Sequence, residues 1–377
     1  MAKIRRRGGI KKRGPNSWLV SLFTGFDIRG KRKDFTRTVR GTRKEAEQAL
    51  NKIVREHDQG SLIDNPSMTL DDFFAKWLES SSRLRNSQRT ADGHESVYNR
   101  YFRNAIGTKK LEKLQALDIQ AVYSELLRRG LDPQTVKHCH AVIRCALNQA
   151  VRWQLLARNP ALLAETPTVH RKERRVLNAV ETKQFIDECR KIPIGLVFEF
   201  AILTGMRPEE YLAVKWADLD FAAKTIQVNR ALVHHKGWSF RKPKTSRSRR
   251  TIILPPSLMH QLTLHKETQT FQMLKAANLW EKNDLIFCSE FGTPLSVPNL
   301  TYRYFRPILE RAGLPQIRVY DLRHTHATLL LSANENPKVV SERLGHSTIV
   351  LTMDTYSHVL PTMQQAATDK LEAMIFG

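Results

Sequence analysis

Cysteine is scarce in this chain and carries no pairing pattern. Cys139, Cys145, Cys189 and Cys288 are the only four among 377 residues. They form neither a CxxC pair nor a paired zinc-ligand spacing, which argues against a disulfide scaffold and suits a reducing compartment. The run His138-Cys139-His140 invites a metal reading, but successive side chains on a helix point in different directions, so a structural role is expected there. Long apolar runs are missing too. None approaches the roughly 18 residues of a membrane span, and no apolar signal segment follows the basic start, so a soluble, unexported, cytoplasmic protein with no membrane partner is expected. HExxH, a two-metal acidic cluster and the GxxxxGKS/T phosphate loop do not occur. Metal-dependent hydrolysis and ATP-driven chemistry therefore have no support in the sequence, and neither a metal nor a cofactor is expected. Acidic residues are also in short supply, at 37 against 61 Lys and Arg, a net charge of +24 that points to a polyanionic partner, with nucleic acid foremost.

The chain shows no internal repeat and is long enough for two or three domains. Residues 1–60 hold 17 Lys and Arg against 6 Asp and Glu, a density suited to meeting phosphates. After a flexible basic start, Trp18 to Phe23 and Lys33 to Val39 read as strands joined by a turn from Asp27 to Gly30. Thr42 then caps a helix through Ala46, Leu50 and Ile53, with Glu45 in the reciprocal capping position. Gly60 to Pro66 reads as a linker. Beyond it Thr69 caps a helix in which Leu70, Phe73, Phe74, Trp77 and Leu78 share one face, with Asp72 completing the capping box. Further helices are expected over Ser87 to Ile106, Asp118 to Arg129 and Pro133 to Trp153, and Asn159-Pro160 ends the run. The basic stretch Arg171-Lys172-Glu173-Arg174-Arg175 leads into a third region, with helices at Val180 to Cys189 and Leu196 to Thr204. Thr225 to Val228 and Thr251 to Leu254 are β-rich. The expected domains are 1–62, a small sheet with one helix; 67–165, all helical with interspersed Arg and Lys suited to gripping a duplex; and 172–377, mainly helical with a small antiparallel sheet.

The third region carries an ordered set of phosphate-handling side chains: Arg207 in Thr204-Gly205-Met206-Arg207-Pro208-Glu209-Glu210, Lys244 in Pro243-Lys244-Thr245, Arg323 in Tyr320-Asp321-Leu322-Arg323-His324-Thr325, His346 in Leu344-Gly345-His346, and Tyr356 ten residues later. A phosphodiester resists attack because its oxygens repel nucleophiles and its alkoxide leaves poorly. Two arginines can clamp the non-bridging oxygens, a histidine can add a hydrogen bond or move a proton, and a lysine can protonate the departing 5′ oxygen. A tyrosine can be the covalent nucleophile if nearby cations favour its phenolate. Taken singly, Arg207 reads as an ion-pair partner of Glu210, Tyr356 as a core residue and Gly345 as a helix C-cap. The joint occurrence, in order, reverses those readings. Tyr302 and Tyr304 lack the spacing from Gly345-His346 and are expected to pack or to meet DNA.

With these motifs the chain resembles the tyrosine recombinases of the phage integrase family, most specifically in its second half. The resemblance implies that Arg207, Lys244, Arg323, His346 and Tyr356 form the active site and that Glu210 orients the arginine. It implies double-stranded DNA as substrate, at core-type and arm-type attachment sites, and a homotetramer acting through a Holliday junction with DNA-bending and directionality proteins as further partners. The expected activity is integration and excision of a mobile element through a 3′-phosphotyrosine. The rivals are a type IB-like topoisomerase and a non-catalytic DNA-binding regulator of the same fold. One position departs from the family: a histidine usually stands three residues before Arg323, and here it is Tyr320, which can donate a hydrogen bond but carries no charge at neutral pH. His324 and His326 could compensate, although members of the family often carry a histidine just after this arginine without catalytic duty and a helix turns successive side chains about 100° apart. The terminal segment Pro361 to Phe376 places Met363, Ala367, Leu371 and Ile375 at helical spacing, a stripe to be buried on its own domain or on a neighbouring protomer.

Overall fold

The computed structural model describes residues 8–26, 30–58, 68–169, 175–235, 237–241, 249–356 and 360–376. Lys244 with Pro243 and Thr245, the linker from Gly60 to Pro66, residues 27–29 of the first turn and residues 171–174 of the basic stretch lie outside these segments. The chain divides into two compact units, Met1–Arg171 and Lys172–Gly377.

The first unit begins with three antiparallel strands, β1 (Gly8–Gly14), β2 (Ser17–Phe26) and β3 (Arg32–Arg40), in the order β1-β2-β3. Alternation on β2 turns Val20 and Leu22 inward, where they meet Phe35 of β3 and Ala46 and Ile53 of helix α1 (Arg43–Asp58) in one small core. The Thr42 amide donates to Glu45 Oε2 at 2.6 Å and the Glu45 amide returns a bond to Thr42 Oγ1 at 3.3 Å, so two otherwise orphaned N–H groups are satisfied as the sequence led one to expect. Part of the basic start is not a flexible tail: Gly8 to Gly14 is an edge strand, its Ile10 opposite Val20 and packed on the core. An edge strand tolerates Lys11 and Lys12 because only one of its sides is paired.

The rest of the unit is helical: α2 (Leu70–Trp77), α3 (Gln88–Tyr101), α4 (Ala116–Arg128) and α5 (Pro133–Arg152). Thr69 and Asp72 complete their capping box, and Leu70, Phe73, Phe74 and Trp77 are buried in a second core with Tyr98, Tyr123, Ile143 and Leu147. The helix expected from Ser87 to Ile106 is interrupted at Phe102, with a separate turn over Arg103–Ile106. The His138-Cys139-His140 side chains diverge: Cys139 lies in the core, His140 Nδ1 shares a 3.0 Å hydrogen bond with the Tyr123 hydroxyl, and His138 is exposed.

The second unit is built round α7 (Leu196–Thr204), which follows α6 (Ala179–Cys189) and is buried on all sides. Its one carboxylate, Glu199, is balanced by Arg190, whose Nε donates to it at 3.0 Å. A short helix, α8 (Pro208–Tyr211), leads to β4 (Leu219–Asp220) and β5 (Thr225–Gln227), a hairpin of β6 (Ala231–His234) with β7 (Trp238–Arg241), and β8 (Thr251–Ile253). Strands β4-β5-β8 form one antiparallel sheet with Ile226 opposite Ile252, both buried; the β6-β7 hairpin is separate and was not foreseen. Helix α9 (Pro256–Ala276) follows, then α10 (Asp321–Ser332), which packs against α7, and α11 (Pro337–Leu344), α12 (Ile349–Thr355) and α13 (Leu360–Phe376). On α13 the side chains of Leu371, Met374, Ile375 and Phe376 are exposed within this single chain. No helix among the described residues is long and apolar enough to cross a membrane.

Candidate active site

Two left-handed glycines set the frame. Helix α7 ends at Gly205 with φ 64°, and α11 ends at Gly345 with φ 67°, a conformation that costs other residues about 1–2 kcal/mol. Between these two turns lies Arg323 of α10, only 2% exposed. Its Nη1 donates to the Gly205 carbonyl at 2.8 Å and its Nη2 to the Leu344 carbonyl at 2.7 Å, so one guanidinium ties both helix ends together. Neither turn has room for a side chain. A Cβ at Gly205 would stand 2.4 Å from His326 Cδ2, and one at Gly345 would stand 2.9 Å from Arg250 Nη1.

Arg207 stands two residues after Gly205 and starts α8 in extended backbone, which lets Glu210 reach back to it. The Arg207 amide donates to Glu210 Oε2 at 3.0 Å and Arg207 Nη1 to Oε1 at 2.7 Å. Arg250 Nη2 donates to the same carboxylate at 2.9 Å while its Nε donates to the Arg343 carbonyl at 2.6 Å. Burial works to raise the pKa of Glu210, but Arg250 and Arg207 outweigh it and hold the acid below the usual carboxylate range. Burial likewise opposes charge on Arg207, and Glu210 reverses that, leaving its pKa raised. Arg323 is pushed down to about 10, first by burial and then by Arg207, and is still a cation at neutral pH. Two guanidinium groups thus bond one carboxylate and a third lies within its field, an arrangement with positive charge to spare and an anion as its natural complement.

His346 stands one residue past the Gly345 turn, its amide donating to the Ser341 carbonyl at 3.0 Å and its Nδ1 sharing a 2.7 Å bond with Thr352 Oγ1. Burial, then Arg323 and Arg207, push its pKa down to about 4, so the ring is neutral at pH 7. Tyr356 caps the end of α12 and is 2% exposed, packed with Ala327, Leu331, Val340 and Leu344. Its hydroxyl is 2.8 Å from His324 Nδ1.

Arg207, Glu210, Arg323 and His346 are therefore linked to one another by hydrogen bonds or by the charges they feel, and Tyr356 joins them through His324, whose charge His346 feels. Lys244 lies outside the described residues, in the chain between β7 and β8. Tyr320 precedes α10 and is 38% exposed, its ring 5.5 Å from that of His324. Tyr302 and Tyr304 occupy a π-helical turn, Thr301–Phe305; Tyr302 is exposed with the Arg306 guanidinium 4.6 Å over its ring, so it does not pack into the core. Arg250 and Arg343 escaped sequence reasoning. Both sit among many basic residues, and only their burial, with Arg250 on Glu210 and Arg343 Nε on His326 Nε2 at 3.2 Å, sets them apart.

Residues 171–363 match the Phage integrase family, and residues 69–127 match the family described as Phage integrase, N-terminal SAM-like domain. A tyrosine recombinase XerC-like protein from Caldanaerobacter subterraneus subsp. tengcongensis is 31% identical over 385 residues, spanning 96% of this chain and 97% of the relative. Among solved structures, the fold is shared with the Tn1549 transposon integrase in complex with a circular intermediate DNA, at TM-score 0.68 and 20% identity over 81% of this chain and 100% of that one. It is also shared with a lambda integrase tetramer bound to a Holliday junction, at TM-score 0.57 and 17% identity over 92% of this chain and 97% of that one.

Proposed function

The chain belongs to the phage integrase family, the tyrosine recombinases, and on that premise we propose how its site works on DNA and what it serves. The scissile phosphate sits against Arg207 and Arg323. Two of the five N–H donors of Arg323 are spent on carbonyls, which aims the guanidinium and leaves three for phosphate oxygens. Glu210, shared with Arg250, fixes Arg207 in the same way. Neutral His346, with Nδ1 accepting from Thr352, carries its hydrogen on Nε2 and donates to the phosphate as charge builds. Tyr356 attacks phosphorus, the P–O5′ bond breaks, and Lys244 delivers the proton to the departing 5′ oxygen. The 3′-phosphotyrosine conserves the bond energy until the 5′-hydroxyl of a partner strand attacks it.

The carrying observation is the surplus of buried and half-buried positive charge beside a buried phenol: Arg207, Arg250 and Arg323 against Glu210 alone, with Tyr356 reached through His324. The activity on this reading serves integration and excision of a mobile element, in the bacterial cytoplasm; the likeness in fold to a transposon integrase bound to a circular intermediate DNA and to a lambda integrase bound to a Holliday junction supports it. Four protomers act on two duplexes, residues 67–165 grip the core-type site, residues 1–62 bind arm-type DNA, and DNA-bending and directionality proteins bias the direction. The exposed apolar end of α13 is covered by a neighbouring protomer in that assembly. A duplex spanning the junction of element and chromosome, nicked near the cleavage point, should yield a protein–DNA adduct that survives denaturation. Tyr356→Phe should abolish it, and an adduct persisting in that variant would move the nucleophile elsewhere.

A further inference from the structure

Tyrosine is a poor nucleophile until its proton leaves, and no residue so far assigned takes that proton. Arg207 and Arg323 are cations, and Lys244 has the opposite duty of giving a proton. The residue three before Arg323 is Tyr320, a phenol with no basic nitrogen. His324 Nδ1 shares a hydrogen bond with the Tyr356 hydroxyl at 2.8 Å, inside the 2.6–3.2 Å reach of a general base. The contact follows from the helix: His324 comes one residue after Arg323, so α10 presents the arginine to the two glycine turns and the histidine to the end of α12. His324 is 7% exposed and Tyr356 2%, so water is largely kept from both.

We propose that His324 is the general base of strand cleavage, a catalytic residue whose Nδ1 accepts the Tyr356 phenolic proton. The assignment rests on the strand-transfer reading above. As the Tyr356 Oη–P bond forms, the phenolic O–H electrons become the new bond and the proton passes to Nδ1. The P–O5′ pair leaves with the 5′ oxygen, which takes a proton from Lys244. When the strand is rejoined, the imidazolium returns its proton to the phenolate. The reaction needs no other reactant. The titratable and charged groups that face His324 among the described residues are Tyr320 and Asp321 at the start of its own helix, His346 beyond α11 and Tyr356 at the end of α12. His346 is pushed down to about 4 and Asp321 lies below its usual range even against burial, so neither titrates between pH 5 and 8.

A bystander histidine would satisfy the buried phenol equally well, so the test separates hydrogen bonding from proton transfer. His324→Asn keeps a polar atom where Nδ1 stood but cannot hold the proton. On the nicked duplex its rate of adduct formation should fall about 100-fold, with DNA binding unchanged. The defect should persist on DNA whose 5′ bridging oxygen is sulfur, because that leaving group dispenses with Lys244 and not with the base. A rate within about threefold of the native chain, or a defect that vanishes on the sulfur-bridged DNA, overturns the proposal. Should His324→Asn fail to fold, the native chain decides: on sulfur-bridged DNA, where no leaving-group proton is needed, its rate should be slower in D2O than in H2O because the phenolic proton is in flight to Nδ1, and equal rates overturn the assignment. Failure of the underlying reading looks different, since the native chain would then form no adduct or Tyr356→Phe would still form one.

Discussion

Three histidines of the catalytic unit sit within a few residues of one another in space yet answer to different neighbours. His326 donates through Nδ1 to the Ile202 carbonyl at 2.8 Å and accepts from Arg343 through Nε2, so it packs the two glycine turns together without touching the phosphate site. Burial, then Arg343, push its pKa down to about 3, whereas in the unfolded chain it titrates near 6.5. The unfolded state therefore binds the extra proton first. Stability is complete above pH 6.5 and drains as pH falls toward 3, by about 2 kcal/mol at pH 5 from this one ring. His326→Asn keeps a donor toward Ile202 but cannot be protonated, so its urea midpoint should vary less between pH 7 and pH 5 than that of the native chain. Equal slopes would mean that His326 is not what acid attacks. Nothing in Asp321-Leu322-Arg323-His324-Thr325-His326 distinguished the two histidines. The 100° step of the helix does, sending one to Tyr356 and the other to Ile202.

At the scale of elements, legibility followed how local the physics was. Capping boxes at Thr42 and Thr69 are closed within three residues, so their spacing alone announced them. The apolar stripes of α2 and α5 were equally plain, because a helix needs only its own sequence to make a face. Strand β1 was hidden because Lys11, Lys12 and Arg13 read as a tail until β2 is present to pair with them. The β6-β7 hairpin likewise depends on its cross-strand partners, Leu232 opposite Phe240. The Gly205 turn shows an element acting on chemistry, since its carbonyl holds Arg323 and its next two residues deliver Arg207. Gly205→Ala must take a left-handed backbone and drive Cβ into His326, so a loss of about 2 kcal/mol or more is expected in denaturant titration. Adduct formation should fall with it, since both arginines lose their alignment. A Gly205→Ala chain with native stability would show that the turn can relax, and that the 2.4 Å approach is not rigid.

For the whole molecule, order along the chain announced the catalytic set but could not announce its convergence. Arg207 and Arg323 stand 116 residues apart in number, and their shared field arises only when α7 and α10 pack together. Arg250 was lost among 61 basic residues for the same reason. The charge itself divides into two populations that salt should separate. Exposed Lys and Arg meet phosphates in water, where binding releases counterions; with 6–10 such contacts, affinity falls roughly 10³–10⁵-fold between 50 and 200 mM salt. Arg323, at 2% exposure, and Arg250 are shielded from that screening by the protein around them. Fluorescence anisotropy on a labelled duplex should thus show a steep loss of affinity with salt. The rate of adduct formation at saturating protein should change by less than about threefold over the same range, because Arg323, which faces the reacting phosphate, is buried and screened little. A cleavage rate that falls in step with affinity would place the catalytic cations in solvent, contrary to the geometry around Arg323.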